Sequence, residues 1–474
     1  MPRLFSAFRF VVCGFAIACA ATLQAAEPSS DGGTGGLRVG TFNIDATPPE
    51  GTPLCDGLVK PVISVDDPLS ARGLVIVGAG KPIVLVALDW VGIGNSGYDR
   101  FRERIAAEVG TTPDRVAVHC LHQHDAPGCD FEAQDILVEH GLGDVAFNVA
   151  HARLQIDATA KAAKKALDEA QPVTHVGHGK AKIVEVASAR RVIGPDGKVQ
   201  FTRTSATKNA EARAKPEGVI DPYVQMLSFW NGDKPIVVAS YYATHPMANY
   251  GAGRVSADFI GLGRNANEKS SGVAQVHFNG AGGNVTAGKY NDGSPGNRAI
   301  LAERVAKGMA EAWAATKKTP ITANDIEWRV ENVVLPVSLR YAEEAPMLKQ
   351  LDDKELAPGR RAQFARHIAF ARRSKAKHPT ALQLLKIGPA YVLHMPGELF
   401  VEYQLAAQEM RKDAPVMMAA YGDYGAGYIG MKWSYPQGGY EVGVVSRVAP
   451  EVEDVLMPAM RRLLGGEKEV INAK

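Results

Sequence analysis

The segment Pro82–Val91 reads PIVLVALDWV, a short and almost wholly apolar run. Such a run predicts a β-strand that is buried on both faces. The following segment, Tyr98–Val109, has apolar residues at four-residue spacing and stops before Gly110, which predicts an amphipathic helix. Arg115–Leu121 predicts a second strand. This strand–helix–strand order is typical of α/β architecture.

The same alternation continues outward along the chain. Further strands are predicted at Pro235–Ala243, Val273–Phe278, Ala390–Met395 and Pro415–Ala420. Helices are predicted at Val145–Ala170, from the glycine-rich turn after Phe278 to about Ala315, and from Glu398 onward. The charged stretch Glu343–Lys377 is also predicted to be helical, as an exposed excursion from the domain. No internal repeat or strong linker interrupts the pattern. We therefore expect an α/β fold, a single large catalytic domain with central β-sheets flanked by helices.

The composition narrows the class of protein. The chain has 474 residues, 46% of them hydrophobic and 22% charged, with a formal net charge of +2. These values are typical of folded globular proteins and argue against intrinsic disorder or coiled coil. The near-neutral charge, without a long run of one sign, argues against a nucleic-acid partner.

The first residues predict export from the cell. Arg3 and Arg9 precede a short apolar run, and Ala25 and Ala26 are small residues at a cleavage point, which is typical of a secretory signal. We therefore expect a secreted or periplasmic protein. A lipoprotein attached through Cys19 is less favoured, because no leucine precedes that residue. The predicted organisation is a signal peptide at 1–26, a flexible leader at 27–37 and the catalytic domain at 38–474.

The turn after the second strand holds the strongest local motif. His122 and His124 are separated by one residue, so both imidazoles can reach one site. Imidazole is a preferred ligand of Zn²⁺, and this spacing favours a metal site over two polar turn residues. The metallo-β-lactamase pattern does not fit, since Ala126 and Pro127 stand where it needs Asp and His. A barrel amidohydrolase stays open, because it could draw on His175, His178, His245 and Asp258.

Other polar residues also follow predicted strands. His245, Glu398 and Tyr428 are far apart in sequence, yet each comes soon after an apolar strand. Ligand sites in α/β folds form beyond the carboxyl ends of strands. Taken singly, His245 is typical of a structural histidine and Glu398 of a favourable charge at a helix start. The glycine-rich segment Asn279–Thr286 predicts either a tight structural turn or a close backbone approach to a ligand.

Together these motifs resemble the neutral/alkaline (non-lysosomal) ceramidase family, from about Arg38 to Arg447. The residues that carry the resemblance are Val39-Gly40, Asp45-Ala46-Thr47-Pro48, Leu88-Asp89-Trp90-Val91-Gly92, His122-Gln123-His124-Asp125-Ala126-Pro127-Gly128, Ala243-Thr244-His245, Glu398-Leu399-Phe400, Ala426-Gly427-Tyr428 and Tyr440-Glu441. Three departures occur: Asp125 replaces a serine of the family turn, and Asn284 and Ala287 replace an aspartate and a proline of the family loop. We also expect the chain to lack the C-terminal β-sandwich domain of the ceramidases proper.

The resemblance implies a zinc hydrolase that cleaves an N-acyl amide, with a ceramide-like lipid as the leading substrate. It implies Zn²⁺ ligands at His122, His245, Glu398 and Tyr428, catalytic roles for His124, Arg190 and Tyr440, and substrate-binding positions at Asn284 and Thr286. Shifting the match by one residue would give the role of Arg190 to Arg191 instead. The implied partners are a lipid or small-molecule substrate and a membrane surface that the enzyme contacts transiently. Two other interpretations stay open: a metal-dependent hydrolase of another amide or ester, and a zinc-binding protein without catalysis.

Overall fold

Three main β-sheets follow one another along the chain. The computed structural model describes residue 2 and residues 36–465, so the predicted signal peptide and leader lie almost wholly outside the described residues. The first sheet contains β1 (Arg38–Asp45), β2 (Ser70–Gly78), β3 (Gly80–Leu88), β4 (Val116–Cys120) and β5 (Gln171–Pro172). The second contains β6 (His175–Lys182), β7 (Tyr223–Asn231), β8 (Lys234–Tyr242), β9 (Ala274–Asn279) and β10 (Lys317–Pro320). The third contains β11 (Ile326–Val333), β12 (Thr380–Ile387), β13 (Ala390–His394) and β14 (Val416–Ala419).

Each of the three main sheets is antiparallel except for one parallel pair of strands at an edge. The spatial orders are β4-β3-β2-β1-β5, β9-β8-β7-β6-β10 and β11-β12-β13-β14. The parallel pairs are β3 with β4, β8 with β9, and β13 with β14. The edge strand β9 contacts both β4 and β14, so the three sheets meet along their parallel edges. The carboxyl ends of these strands therefore lie close together, and the described residues 36–465 belong to one compact unit.

Helices cover the sheets. They are α1 (Asn95–Val109), α2 (Phe131–Glu139), α3 (Val149–Asp168), α4 (Ala210–Ala214), α5 (Asp258–Ser271), α6 (Asn297–Ala314), α7 (Glu344–Asp352), α8 (Pro358–Lys375), α9 (Val401–Met410) and α10 (Val452–Leu463). Helix α3 packs on β1 and β2, α6 packs on β6 and β7, and α10 packs on β11 and β12. This arrangement buries apolar side chains on both sides of the sheets and confirms the predicted α/β class and single large domain.

The first helix shows how the pattern of the sequence produces the element. Phe101, Ile105 and Val109 recur at four-residue spacing, and all three are buried. Gly110 ends the helix in the left-handed conformation at φ 72°, where glycine carries no Cβ penalty. The predicted helix is thereby confirmed, with its start three residues earlier than expected.

Two segments differ from the sequence-based expectation. The stretch Glu343–Lys377 is helical as predicted, but the expected exposed excursion is wrong for α8, which buries an apolar face in a cluster with α2. Glu398 does not begin a helix, because Glu398–Leu399 forms a two-residue strand and α9 begins at Val401. The helix-dipole interpretation of Glu398 is therefore wrong. Among the described residues no helix is both long enough and apolar enough to cross a bilayer.

The mixed sheets also exclude one alternative. A barrel amidohydrolase needs parallel strands closed into a barrel. The main sheets formed by residues 36–465 are largely antiparallel, and they pair in open linear orders. His175 and His178 lie on β6, in the antiparallel part of the second sheet. The barrel alternative is therefore wrong for this chain.

A buried ion pair joins the first sheet to α5. The Asp89 carboxylate accepts hydrogen bonds from Arg264 at 2.6 and 2.9 Å and from the Ser70 hydroxyl at 2.7 Å. Burial alone would raise the pKa of Asp89, but Arg264 and Ser70 lower it below its ordinary value. Removing one partner of such a pair leaves the other charge buried and uncompensated.

We expect Asp89→Ala to lower the free energy of unfolding by about 3–5 kcal/mol. Chemical denaturation monitored by circular dichroism measures this change. Asp233→Ala is the matched control, because it removes an exposed carboxylate that pairs with Lys318. The control is expected to stay close to wild type. Equal losses for the two variants would contradict the importance of the buried pair.

Candidate metal centre

The candidate site forms where the parallel edges of the three sheets meet. His122 follows β4, His245 follows β8, and Glu398 follows β13. Backbone hydrogen bonds tie these ends together, since the Cys120 amide donates to the Tyr421 carbonyl at 3.0 Å and the Ala420 amide donates to the Asn279 carbonyl at 2.9 Å. Residues far apart in sequence are thus brought into one buried cluster.

His122 is held in a strained backbone conformation. Its φ of 73° lies in the left-handed region, which costs energy for a residue with a Cβ and is enriched at functional sites. Its amide donates to the Trp90 carbonyl at 2.9 Å. Its Nδ1 donates to the Val91 carbonyl at 2.5 Å. Since a carbonyl can only accept, Nδ1 carries a proton and Nε2 is the ring nitrogen that faces the site.

His245 is fixed in the same tautomer by the glycine-rich segment. Its Nδ1 donates to the Gly282 carbonyl at 2.6 Å, which leaves the lone pair on Nε2. A Cβ on Gly283 would lie 2.3 Å from the Glu398 carbonyl oxygen. The glycines therefore let this segment hold His245 against Glu398. The close backbone approach is made to the protein itself and not to a ligand.

Glu398 and Tyr428 stand opposite each other in a short parallel ladder. The Glu398 Oε2 atom lies 3.1 Å from Nε2 of His122 and 2.9 Å from Nε2 of His245. The Tyr428 hydroxyl lies 3.0 Å from Nε2 of His245. All four side chains are buried. The structure thus brings together the four residues that the resemblance implied as metal ligands.

This cluster gathers nitrogen and oxygen atoms that can all act as metal ligands. Nε2 of His122 and Nε2 of His245 face one carboxylate oxygen at hydrogen-bond distance, and Nδ1 of each ring is already bound to a backbone carbonyl. Burial lowers the pKa of His245 to about 4, so its ring is neutral at neutral pH. Burial alone would raise the pKa of Glu398, but His122 and His245 hold it well below its usual range. Nitrogen and oxygen atoms that converge in this way can hold a metal cation between them.

Arg190 lies beside the cluster. Its Nη1 donates to the Tyr428 hydroxyl at 2.8 Å, and its Nε forms an ion pair with Glu441 at 3.1 Å. Arg191 also forms an ion pair with Glu441, but its other terminal nitrogen donates to the Ser434 carbonyl. The geometry therefore places Arg190, and not its neighbour, next to the candidate ligands.

Two further predicted residues line the same cavity. The His124 ring packs edge-on against Tyr250 at 4.6 Å, and its buried Nδ1 forms no hydrogen bond with the described part of the chain. Burial, with His122 and His245 nearby, lowers the pKa of His124 well below its ordinary value. The Tyr440 ring is half-exposed and lies under the Arg190 guanidinium at 5.3 Å. Both side chains border a cavity of about 250 Å³ that also contains His122, Glu398 and Tyr428.

Asn284 and Thr286 lie elsewhere. Asn284 donates to Glu402 at 2.8 Å, accepts from the Val401 amide at 2.8 Å, and borders a separate cavity of about 330 Å³. Thr286 is fully buried and donates to the Thr204 carbonyl at 3.0 Å. The structure does not bring these two side chains to the histidine cavity, so their predicted substrate-binding role stays a prediction.

Sequence reasoning missed Tyr424. Its hydroxyl donates to Oε1 of Glu398 at 2.8 Å, the carboxylate oxygen that the histidines leave free. The only signal in the sequence was its position four residues before Tyr428 in a segment rich in Tyr and Gly. Such a contact orients a candidate ligand from behind.

The buried histidines form a group that could bind a metal ion. Ligand atoms of His122, His124 and His245 all lie within 4.8 Å of one another. Glu398 and Tyr428 adjoin the same group. The geometry alone therefore offers five side chains to one ion, and His124 stands at the edge that opens to the cavity.

Comparison with known proteins supports the fold. A ceramidase solved in complex with C2 matches with a TM-score of 0.68 at 18% identity, covering 90% of this chain and 75% of the other. The neutral ceramidase of Pseudomonas aeruginosa matches with a TM-score of 0.65 at 17% identity, covering 90% and 73%. No family model and no curated protein sequence matches. The chain therefore has the ceramidase fold, as its motifs predicted.

Proposed function

We propose that this protein is a zinc-dependent hydrolase of an N-acyl amide bond. The observation that carries the proposal is the convergence of candidate ligand atoms: Nε2 of His122 and Nε2 of His245 face one oxygen of Glu398 at 3.1 and 2.9 Å. Ligands at about 2.0 Å from a tetrahedral Zn²⁺ are separated by about 3.3 Å. The distances in the cluster are close to that value. With Tyr428 they make a set of nitrogen and oxygen ligands that suits zinc.

The remaining residues suit amide hydrolysis. Bound zinc supplies Lewis-acid polarisation of the carbonyl and makes water a better nucleophile at neutral pH. His124, neutral and free at Nδ1, accepts the proton of the attacking water and returns it to the leaving amine. Arg190 and Tyr440 donate hydrogen bonds to the developing oxyanion, each worth about 3 kcal/mol. Amide cleavage needs both kinds of group, a proton carrier and oxyanion donors.

The substrate class follows from the fold likeness. The two solved proteins compared above are named ceramidases, so a ceramide-like N-acyl lipid is the leading substrate. We also propose that residues 1–26 are a secretory signal, that residues 38–474 act as one catalytic domain, and that the mature enzyme reaches its lipid at a membrane surface. Mass spectrometry of the exported protein tests the cleavage point.

A metal-exchange assay tests the proposed function. The purified chain is analysed for bound metal, treated with a chelator, and supplied again with zinc. Each form is assayed on ceramide, simpler N-acyl amides, esters and phosphoesters. We expect about one zinc per chain and amide cleavage that disappears and returns with the metal. Bound zinc with no turnover on any compound would favour a zinc-binding protein without catalysis. Cleavage unaffected by chelation would contradict the proposal.

Tyr424 supports the proposed ligand Glu398. Its hydroxyl is the only side-chain donor within residues 36–465 that binds Oε1 of that carboxylate. We expect Tyr424→Phe to weaken zinc affinity by about 10–100-fold, as measured by competition with a chelator of known affinity. Tyr421→Phe is the matched control, because the buried Tyr421 hydroxyl forms no hydrogen bond within residues 36–465 although its ring stacks on His122. Equal affinities for the two variants would contradict the role of Tyr424.

A further inference from the structure

The cavity that holds the proposed zinc ligands has a second wall, which is basic. Helix α8 contributes Arg360, Gln363 and His367, which recur at three- and four-residue spacing and share one helix face. Arg447, from the segment that follows Tyr440, completes this wall. The family motifs do not include these positions. The wall is therefore a feature of this chain that the proposed reaction does not yet use.

The charges of this wall are only partly neutralised. Arg366 also borders the cavity, and it forms a buried ion pair with Asp56. Within residues 36–465, neither Arg447 nor Arg360 forms an ion pair with a carboxylate. Glu398, the other acid of the cavity, is bound to the histidines and Tyr424. An excess of positive charge therefore faces the cavity.

Arg447 and His367 form a pair of buried donors. Nε of Arg447 donates to Nδ1 of His367 at 2.9 Å. Because Nδ1 accepts, the proton of the neutral His367 ring sits on Nε2. Nη1 of Arg447 donates to the carbonyls of Tyr424 and Gly425 at 3.3 and 3.1 Å. Nη2 of Arg447 and Nε2 of His367 form no hydrogen bond with the described part of the chain.

Such a pair is costly without a counterion. Both residues are only 4% exposed, and the exposure that remains is at the cavity they line. Burial, together with the neighbouring Arg366, lowers the pKa of Arg447 to about 10. Burial and Arg447 lower the pKa of His367 well below its ordinary value. A bound anion would satisfy both donors and the buried charge at once.

We propose that Arg447 and His367, with Arg360 at the mouth, bind an oxyanion carried by the substrate. The inference rests on the proposed function and names its substrate class: an N-acyl amide that bears a carboxylate or a phosphate. Arg447 contacts the backbone of Tyr424, whose hydroxyl contacts Glu398. The length of the Tyr424 side chain therefore separates the bound oxyanion from the proposed zinc ligands. In the substrate, the oxyanion is then a few bonds from the scissile amide.

Matched substrates test the proposal by turnover. N-dodecanoylglycine, phosphorylated N-dodecanoylethanolamine and N-dodecanoylethanolamine share an acyl chain and differ in carrying a carboxylate, a phosphate or no charge. We expect kcat/KM to be at least tenfold higher for one of the anionic compounds than for the neutral one. The compound preferred identifies the oxyanion. Equal values, or a preference for the neutral compound, would overturn the proposal.

Variants assign the preference to the basic wall. His367→Phe keeps the stacking on Tyr341 and removes the N–H donor, and Arg447→Gln removes the buried charge. We expect both to reduce the anionic-to-neutral ratio of kcat/KM to less than threefold. Arg360→Gln, at an exposed position that does not endanger folding, is expected to reduce it several-fold. Lys375→Gln removes the same charge from α8 outside the cavity and should leave the ratio unchanged. A ratio that persists in His367→Phe and Arg360→Gln would overturn the proposal.

A binding experiment separates this inference from the proposed function. Octyloxyacetate, monooctyl phosphate and 2-octyloxyethanol share an alkyl chain and contain no amide. Calorimetry on the wild type is expected to show at least tenfold tighter binding of an anionic compound, and a loss of that difference in His367→Phe and Arg360→Gln. This result supports the oxyanion site even if no amide is cleaved. Equal binding of the three compounds by the wild type would overturn it even if amides are cleaved.

Discussion

Replacement of His122 by alanine is expected to remove the bound zinc and to lower amide hydrolysis by about 10³-fold or more. The His122 Nε2 atom is one of two imidazole nitrogens that face Glu398 in the buried cluster. Without it the ion loses one of its two imidazole ligands, which weakens binding enough for a chelator at micromolar concentrations to remove the zinc. Elemental analysis of the purified protein measures the metal, and hydrolysis of a fluorescent N-acyl amide measures the activity.

A second histidine variant controls for non-specific metal binding. His175→Ala removes an imidazole from β6, outside the cavity, and should change neither quantity. Circular dichroism of His122→Ala should match wild type, since the strand β4 that precedes His122 is fully paired without it. Loss of activity with full retention of zinc would contradict the assignment of His122 as a ligand. Loss of folded structure would move the test to His122→Gln.

Replacement of His124 by glutamine is expected to leave zinc in place and to lower kcat by about 10²–10⁴-fold. His124 borders the cavity, and its Nδ1 has no hydrogen-bond partner among residues 36–465. Glutamine retains a polar side chain of similar length but cannot carry a proton between water and the leaving amine. The expected result is therefore a chemical defect at a loaded metal site.

Comparing His122→Ala with His124→Gln decides whether His124 is the acid/base or a third histidine ligand. His124 lies within 4.8 Å of His122 and His245, so the geometry alone also permits three histidine ligands. Zinc content measured beside kcat separates the two possibilities. If His124→Gln loses zinc as His122→Ala does, His124 is a ligand and the acid/base role belongs to another group. If zinc stays and only kcat falls, the proposed division of roles holds.

The sequence predicted the elements of the fold better than the setting of the site residues. The apolar run at Pro82–Val91 and the spacing within Tyr98–Val109 were sufficient for β3 and α1, because burial and helix periodicity act over a few residues. Glu398 was misread as a helix start, since its two-residue strand exists only by pairing with Tyr428. The exposed excursion predicted for Glu343–Lys377 failed for a similar reason: α8 covers a cluster whose other half comes from α2.

The residues of the candidate site also divide into those that the sequence could name and those that only contacts between distant segments define. The resemblance named His122, His245, Glu398 and Tyr428 together, and no spacing rule could have joined them. Tyr424 and the basic wall were missed, because each is defined by one contact between distant segments. Asn284 and Thr286 were drawn from a family loop, and in this chain their side chains bond to the protein itself.

The amino-acid sequence by itself determined which segments form strands and helices, the α/β class, and the presence of strand ends rich in histidine, tyrosine and acid. These properties depend on local periodicity and on the chemistry of single residues. Only the tertiary structure decided that three sheets meet along their parallel edges, which ring nitrogens of His122 and His245 face the site, and which arginines within residues 36–465 form no ion pair with a carboxylate. Those properties depend on distances between segments that lie hundreds of residues apart, because electrostatic energies and hydrogen bonds act through space and not along the chain.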